Sequence, residues 1–248
     1  MKHRERSLLD YRVAGDRGIL ISFGNALEEE TFQRVQAYQK KLEENPPPAI
    51  RETIKGFCTL YISFDPLQID FNSLLEGLKK VEQKLSQEKP FHSEKRVFEI
   101  PALYGGPYSP DLPAVAKILN ISEEEVIRQH LAHEYLIYIN GHMGGSAFFK
   151  GIGELFKLPR KKTPALSYPT GTLLFADGMG VVFKALDGPT GWHGIGQSPL
   201  RQWYPDRNPP VLIKSGDWVR YRRIDENEFR EIKREVEGNR FHLKYYNH

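Results

Sequence analysis

His130 stands four residues after Val126 and three after Ile127, which places an imidazole on the apolar side of a helix. Such an imidazole either moves a proton at a cleft or sits in a core against a backbone carbonyl, and the spacing admits both. His133 makes a His-x-x-His pair with it, and Glu134 or His142 would extend the pair to a metal-ligand set. The helix should end between the two histidines, because Tyr135 opens a strand-like run, so no metal site is expected.

Two further stretches carry chemistry-bearing side chains. The loop 141–153 begins Gly141-His142-Met143-Gly144-Gly145-Ser146. Adjacent glycines let two amides point at one anion, and Ser146 has an imidazole four residues away in His142. That reads as an oxyanion-binding loop, as a hydrolase dyad, or as a glycine-rich connection in a barrel. The basic run Pro159-Arg160-Lys161-Lys162 either grips a carboxylate or phosphate through Arg160 or is a solvated surface. Gly191-Trp192-His193-Gly194 reads as a pocket wall made by Trp192 and His193, or as a tight corner packed by Trp192. A phosphate-binding P-loop is absent, since Gly144 to Lys150 lacks the Gly-Lys-Ser/Thr order. The dinucleotide fingerprint and the Gly-x-Ser-x-Gly elbow are absent too.

Two segments must position these groups. In residues 8–89, Tyr11-Arg12-Val13 and Gly18 to Phe23 flank a turn and read as a hairpin. Phe32, Val35, Tyr38 and Leu42 follow at helical spacing, and Asn45-Pro46-Pro47-Pro48 stops that helix. Cys58, Leu60, Ile62 and Phe64 alternate as a strand, with Cys58 a small core residue. Asp70 caps a helix striped by Phe71, Leu74, Leu75, Leu78, Val81 and Leu85. A small α+β domain is predicted, with two helices on one face of a sheet.

Residues 87–95 read as a linker. In residues 96–224, a short strand at 96–100 leads to a helix with Ser109 as cap and Pro110 at its first position. Ser122 and Glu125 form a capping box for the helix that carries His130. Strands are predicted at 135–139, 172–176, 181–184 and 218–224, with Asp177-Gly178 as a hairpin turn. Short strands broken by Gly and Pro predict a mainly-β barrel. Residues 225–248 read as a C-terminal helix, capped by Asp225, with a tail.

Composition narrows the partners. The chain has 248 residues, a 40% hydrophobic share and a net charge of +3, so nucleic acid is not an expected partner. No apolar run approaches the ~20 residues that cross a bilayer, so no membrane is expected either. The basic start Met1 to Arg6 is not followed by a long apolar segment, and no secretory signal is predicted. A single cysteine fits a reducing cytoplasm.

The ordered set Tyr104-Gly105-Gly106, Pro110-Asp111-Leu112, Glu125-Val126-Ile127 with His130, Gly141, Pro159-Arg160, Gly191-Trp192, Ile195-Gly196, Pro199-Leu200, Tyr204-Pro205-Asp206 and Gly216-Asp217 resembles the 5-oxoprolinase B-subunit family, also called allophanate hydrolase subunit 1 or the KipI type. The resemblance implies a cyclophilin-like barrel after the small α+β domain. It implies a paired C-type subunit of related fold, a third subunit, and ATP-dependent opening of 5-oxoproline to glutamate. Phosphorylating the lactam oxygen would create a leaving group before water attacks.

On that resemblance, His130 and Arg160 are the catalytic candidates. His142, Gly144, Gly145, Ser146, Trp192 and His193 are the substrate- or partner-binding candidates. The chain departs from the family pattern after Gly141, at Ala165 where an arginine is usual, and at Met179 to Lys184 where Gln-Thr-Gly-Ile-Tyr-Pro is usual. These departures keep open a non-catalytic regulatory protein that binds a histidine kinase. An independent hydrolase using Ser146 and His142 is a third reading.

Overall fold

The computed structural model describes residues 9–87 and 95–247, which form two compact units. The basic N-terminal run and most of the expected linker lie outside the described residues.

The first unit runs β1 (Asp10–Val13), β2 (Gly18–Ser22), α1 (Glu29–Glu44), β3 (Ile50–Lys55), β4 (Thr59–Phe64) and α2 (Phe71–Gln87). Its antiparallel sheet has the order β1-β2-β4-β3. Ile19, Ile21, Leu60 and Ile62 alternate onto one face and pack with Val35, Tyr38, Leu42, Leu74 and Leu78 of the two helices. The Asp70 carboxylate accepts from the backbone of Asn72 and Ser73, which fixes the start of α2. Two details differ from expectation. β3 has no strong apolar alternation, because it is a half-exposed edge strand. Cys58 precedes β4 and is only half-buried, so it is not a core residue.

The second unit contains β5 (Arg96–Ala102), α3 (Leu112–Leu119), α4 (Glu123–Leu131), β6 (Glu134–Asn140), β7 (Ala147–Lys150), β8 (Ala165–Tyr168), β9 (Thr172–Ala176), β10 (Met179–Val181), β11 (Gly188–Thr190), β12 (His193–Gln197), β13 (Trp218–Arg223), α5 (Glu226–Glu237) and β14 (Tyr245–Asn247). Eight of its strands form one sheet in the order β12-β9-β10-β7-β6-β13-β5-β14. β5 and β13 run parallel, and the other pairs are antiparallel. The sheet closes on itself just beyond β5. There Leu103 and Gln197 exchange both backbone hydrogen bonds, at 2.8 and 2.9 Å. The β8–β11 ribbon lies outside this sheet and covers Phe148, Leu174 and Val181 through Tyr168 and Ala165.

Several local features depart from the sequence pattern. Ser109 does not cap α3. Its hydroxyl accepts from Gly105 N and donates to Ile195 O, and the helix starts at Leu112 after Asp111. Half of the capping box forms, with Ser122 accepting from Glu125 N, while the Glu125 carboxylate binds Arg128 and Gln129. The loop 141–153 contains β7, whose Ala147 and Phe149 point into the core. The strand expected at 181–184 is β10, which begins earlier, at Met179, because Asp177 and Gly178 both take positive φ in the turn before it. The C-terminal helix is not peripheral. Phe229, Ile232 and Val236 join the same core as Ile100 and Val115.

Asp225 caps α5 by accepting from Glu228 N. All three tryptophans (Trp192, Trp203 and Trp218) lie in this unit, so their fluorescence reports on it alone. Asp225→Ala should lower its stability by about 1 kcal/mol in urea unfolding followed by tryptophan emission.

Candidate functional site

The residues singled out above fall into three separate groups. The first surrounds His130, which is 3% exposed on α4. Its Nδ1 lies 2.8 Å from the hydroxyl of Tyr104, and the Tyr221 ring centroid is 4.2 Å from its own. Phe156 stacks on it, and the Tyr135 hydroxyl donates to its backbone carbonyl. Burial pushes the His130 pKa down to about 3, and burial likewise raises the phenol of Tyr104. His130 is therefore a neutral core imidazole. It does not face a cleft, which corrects the expectation of a proton shuttle. Among the described residues no three His, Cys, Asp or Glu side chains converge on a metal position, so His133, Glu134 and His142 do not join it.

The second group is centred on Asp111, just before α3. One carboxylate oxygen, Oδ2, accepts from Lys161 Nζ at 2.9 Å, from the Tyr168 hydroxyl at 2.7 Å and from Gly194 N at 2.8 Å. Lys161 Nζ also donates to the Tyr168 hydroxyl at 2.7 Å. Burial and the adjacent carboxylate keep the Tyr168 phenol protonated far above its ordinary range. Lys161 N donates to Gly191 O at 2.7 Å, so its neighbour Arg160 is held beside Trp192. The Arg160 guanidinium lies 5.6 Å from the Trp192 ring centroid and pairs with Asp177 at 3.1 Å. That side chain remains mostly exposed, a cation presented to solvent on a fixed backbone. His193 turns the other way. It is buried, its Nε2 lies 2.9 Å from Pro159 O, and its ring stacks on Phe175. It packs the barrel and does not line a pocket wall.

The third group is the turn 141–146. Gly144 and Gly145 have φ of 57° and 69°, the region that favours glycine. The Gly145 carbonyl accepts from Asn140 Nδ2 and Gln202 Nε2, both at 2.9 Å, and the same two amides also hold Ile213 O. Ser146 is 8% exposed, and its hydroxyl donates to Met143 O at 2.9 Å. No hydrogen bond joins it to the exposed His142 among the described residues, so the Ser146–His142 dyad is not assembled. The turn thus points the Gly145 carbonyl at the side-chain amides of Asn140 and Gln202.

Residues 9–213 match the carboxyltransferase domain family, subdomain C and D. A relative from Bacillus subtilis (strain 168), the B subunit of 5-oxoprolinase, is 34% identical over 229 residues, covering 89% of this chain and 95% of the relative. This chain belongs to the 5-oxoprolinase B-subunit family. A second 5-oxoprolinase B subunit, from Escherichia coli O157:H7, is 31% identical over 84% of this chain and 93% of its own length. Among solved structures, the crystal structure of TTHA0988 superposes with a TM-score of 0.71 at 30% identity. The match covers 84% of this chain and spans 40% of that longer one. Kluyveromyces lactis urea carboxylase matches with a TM-score of 0.78 over 97% of this chain and 24% of its own. At 17% identity that match speaks for the fold alone.

For this member of the 5-oxoprolinase B-subunit family, sequence reading missed the Asp111–Lys161–Tyr168 knot and the Asn140–Gln202 clamp. Asp111 lies 50 residues from Lys161 and 57 from Tyr168, and Gln202 lies 57 from Gly145, so only tertiary structure unites them. Ala165 pairs within the β8–β11 ribbon, opposite Thr190.

The buried groups make the fold sensitive to pH and to charge removal. His130 stays neutral in the fold but protonates near pH 6.5 when unfolded, so stability present above pH 6.5 should be lost progressively toward pH 3. A urea-unfolding series between pH 7 and pH 4 should show that slope, and His130→Gln should flatten it. Asp111→Ala strands a largely buried ammonium and should cost about 3 kcal/mol. Adding Lys161→Met to Asp111→Ala should recover part of that loss in a double-mutant cycle.

Proposed function

We propose that this chain is the B component of an ATP-dependent 5-oxoprolinase complex, paired with a C-type subunit and a third subunit in the cytoplasm. The observation that carries the reading is the identity to a 5-oxoprolinase B subunit that runs through nearly the whole of both chains. In this proposal the second unit is a cyclophilin-like barrel, and its closed sheet is the feature that supports that type. The curated relatives are named as B subunits of 5-oxoprolinase, which supports a multi-subunit enzyme. No phosphoryl-transfer step is assigned to this chain's residues.

Arg160 is the residue proposed to meet an anionic group of substrate or partner, because the Lys161–Asp111 knot and Trp192 hold it in place while leaving it accessible. His130 is given no part in that contact, because its ring is buried against Tyr104 and Tyr221. A regulatory reading has one observation in its favour: none of the proton-moving candidates stands exposed beside a partner. His130 and Ser146 are buried, and His142 is exposed without a hydrogen-bonded partner among the described residues.

The test is reconstitution of the chain with the C-type subunit and the third subunit, following ATP-dependent conversion of 5-oxoproline to glutamate. The Bacillus subtilis B subunit serves as the control for competent partners. Activity is expected, and Arg160→Ala should lower it roughly thirty-fold, as for one lost charge-assisted hydrogen bond. Inactivity beside an active control, together with recovery of a histidine kinase dimerisation domain in pull-downs, would favour the regulatory protein. Full turnover by Arg160→Ala would remove that residue's assignment.

A further inference from the structure

Lys184 lies four residues after Gly180 of β10. Its backbone is pinned on both sides. Lys184 N donates to Thr172 O, and its carbonyl accepts from Gly171 N, each at 2.8 Å. The residue is only 6% exposed, yet its side chain makes no hydrogen bond or ion pair among the described residues. Every fully inaccessible side-chain nitrogen or oxygen in those residues has a partner. The Lys184 amine has none, so it must open to solvent at its tip.

The backbone at Gly188 leaves open space beside the amine. Gly188 has a φ of 147°, and a Cβ added to it would stand 4.0 Å from Lys184 Nζ and meet no other nearby heavy atom. Among the described residues, the carboxylate whose field reaches the amine is that of Asp187. Its Oδ1 is already engaged by the Thr170 amide and hydroxyl at 2.6 and 2.7 Å, and it forms no ion pair with Lys184. Burial lowers the Lys184 pKa below its ordinary value, the sign of a cation desolvated without full compensation.

The Lys184 stem is buried while its amine meets solvent and no protein hydrogen-bond partner, which leaves the charge available to an anion. We propose that Lys184 and the opening at Gly188 form a binding site for a small oxyanion, carboxylate or phosphoryl, with the Lys184 ammonium as its charged contact. The ligand would enter over Gly188, where any side chain would occupy that space. This site is independent of the complex proposed above, because it needs neither a partner subunit nor turnover.

The test uses the whole chain alone. Limiting reductive methylation is read lysine by lysine by mass spectrometry, in chloride buffer and then at equal ionic strength with acetate, 5-oxoproline or inorganic phosphate. At ten times its Kd, the bound anion should slow modification of Lys184 about ten-fold by mass action, leaving exposed Lys162 unchanged. Protection by acetate and 5-oxoproline identifies a carboxylate site, and protection by phosphate alone identifies a phosphoryl site. If no anion slows Lys184, the site does not exist and the side chain merely reaches for water. In a second arm, the anion-dependent rise in Tm should vanish in Lys184→Met, and its persistence there would overturn the assignment. Because the labelling is done on the unaltered chain, the result stands even if that variant fails to fold.

Discussion

The second unit depends on one strip of chain running antiparallel to β12. Leu103 exchanges backbone bonds with Gln197, the Tyr104 ring lies over Gly196, Ser109 donates to Ile195 O, and Asp111 accepts from Gly194 N. Residues 103–111 thus engage four successive positions of the strand in descending order. That strip closes the sheet, which otherwise would leave an open edge at β12. Gly196 is required by close approach, since a Cβ there would stand 2.9 Å from the Tyr104 ring and Leu173. His130 then fixes Tyr104 from the opposite side, and the Asp111 knot fixes the far end. The polar groups that look most chemical are the fasteners of this closure.

How much of the molecule was legible in its sequence follows the range of the interactions. Local signals read well. The helix stripes of α1 and α2, the Asp70 and Asp225 caps and the Asp177-Gly178 turn depend on residues within a few positions of each other. Ser109 misled because a serine before a proline looks the same whether its hydroxyl caps the following helix or crosses to Ile195 O. β7 was hidden by the glycines before and after it, although Phe148 and Phe149 alternate outward and inward. β8, β11 and β12 are short; β8 and β11 pair only with each other, and β12 gains its pairing from the assembled barrel.

The candidate site was less legible than the fold. Residue type marked His130, Ser146 and His193 as reactive, but all three are buried, with the Tyr104 hydroxyl as partner of the His130 ring and backbone carbonyls as partners of Ser146 and His193. Arg160 kept its exposure because its neighbour Lys161 took the buried ion pair. Adjacent basic residues in one run therefore divide between anchoring and contact. No periodicity rule separates them, because the separation is made by Asp111 and Tyr168 from other segments.

The last strand carries a different constraint. β14 pairs with Arg96, Val97 and Phe98 of β5, and the Arg96 and Arg220 guanidinia lie over the rings of Tyr245 and Tyr246. β5 is thereby supplied with a neighbour at its N-terminal half, while β12 takes over at its C-terminal end. A chain trimmed before Tyr245 would bare the β5 backbone from Arg96 to Phe98, an unpaired edge of the kind that recruits strands from other molecules. β14 thus covers the flank of β5 that its removal would leave unpaired.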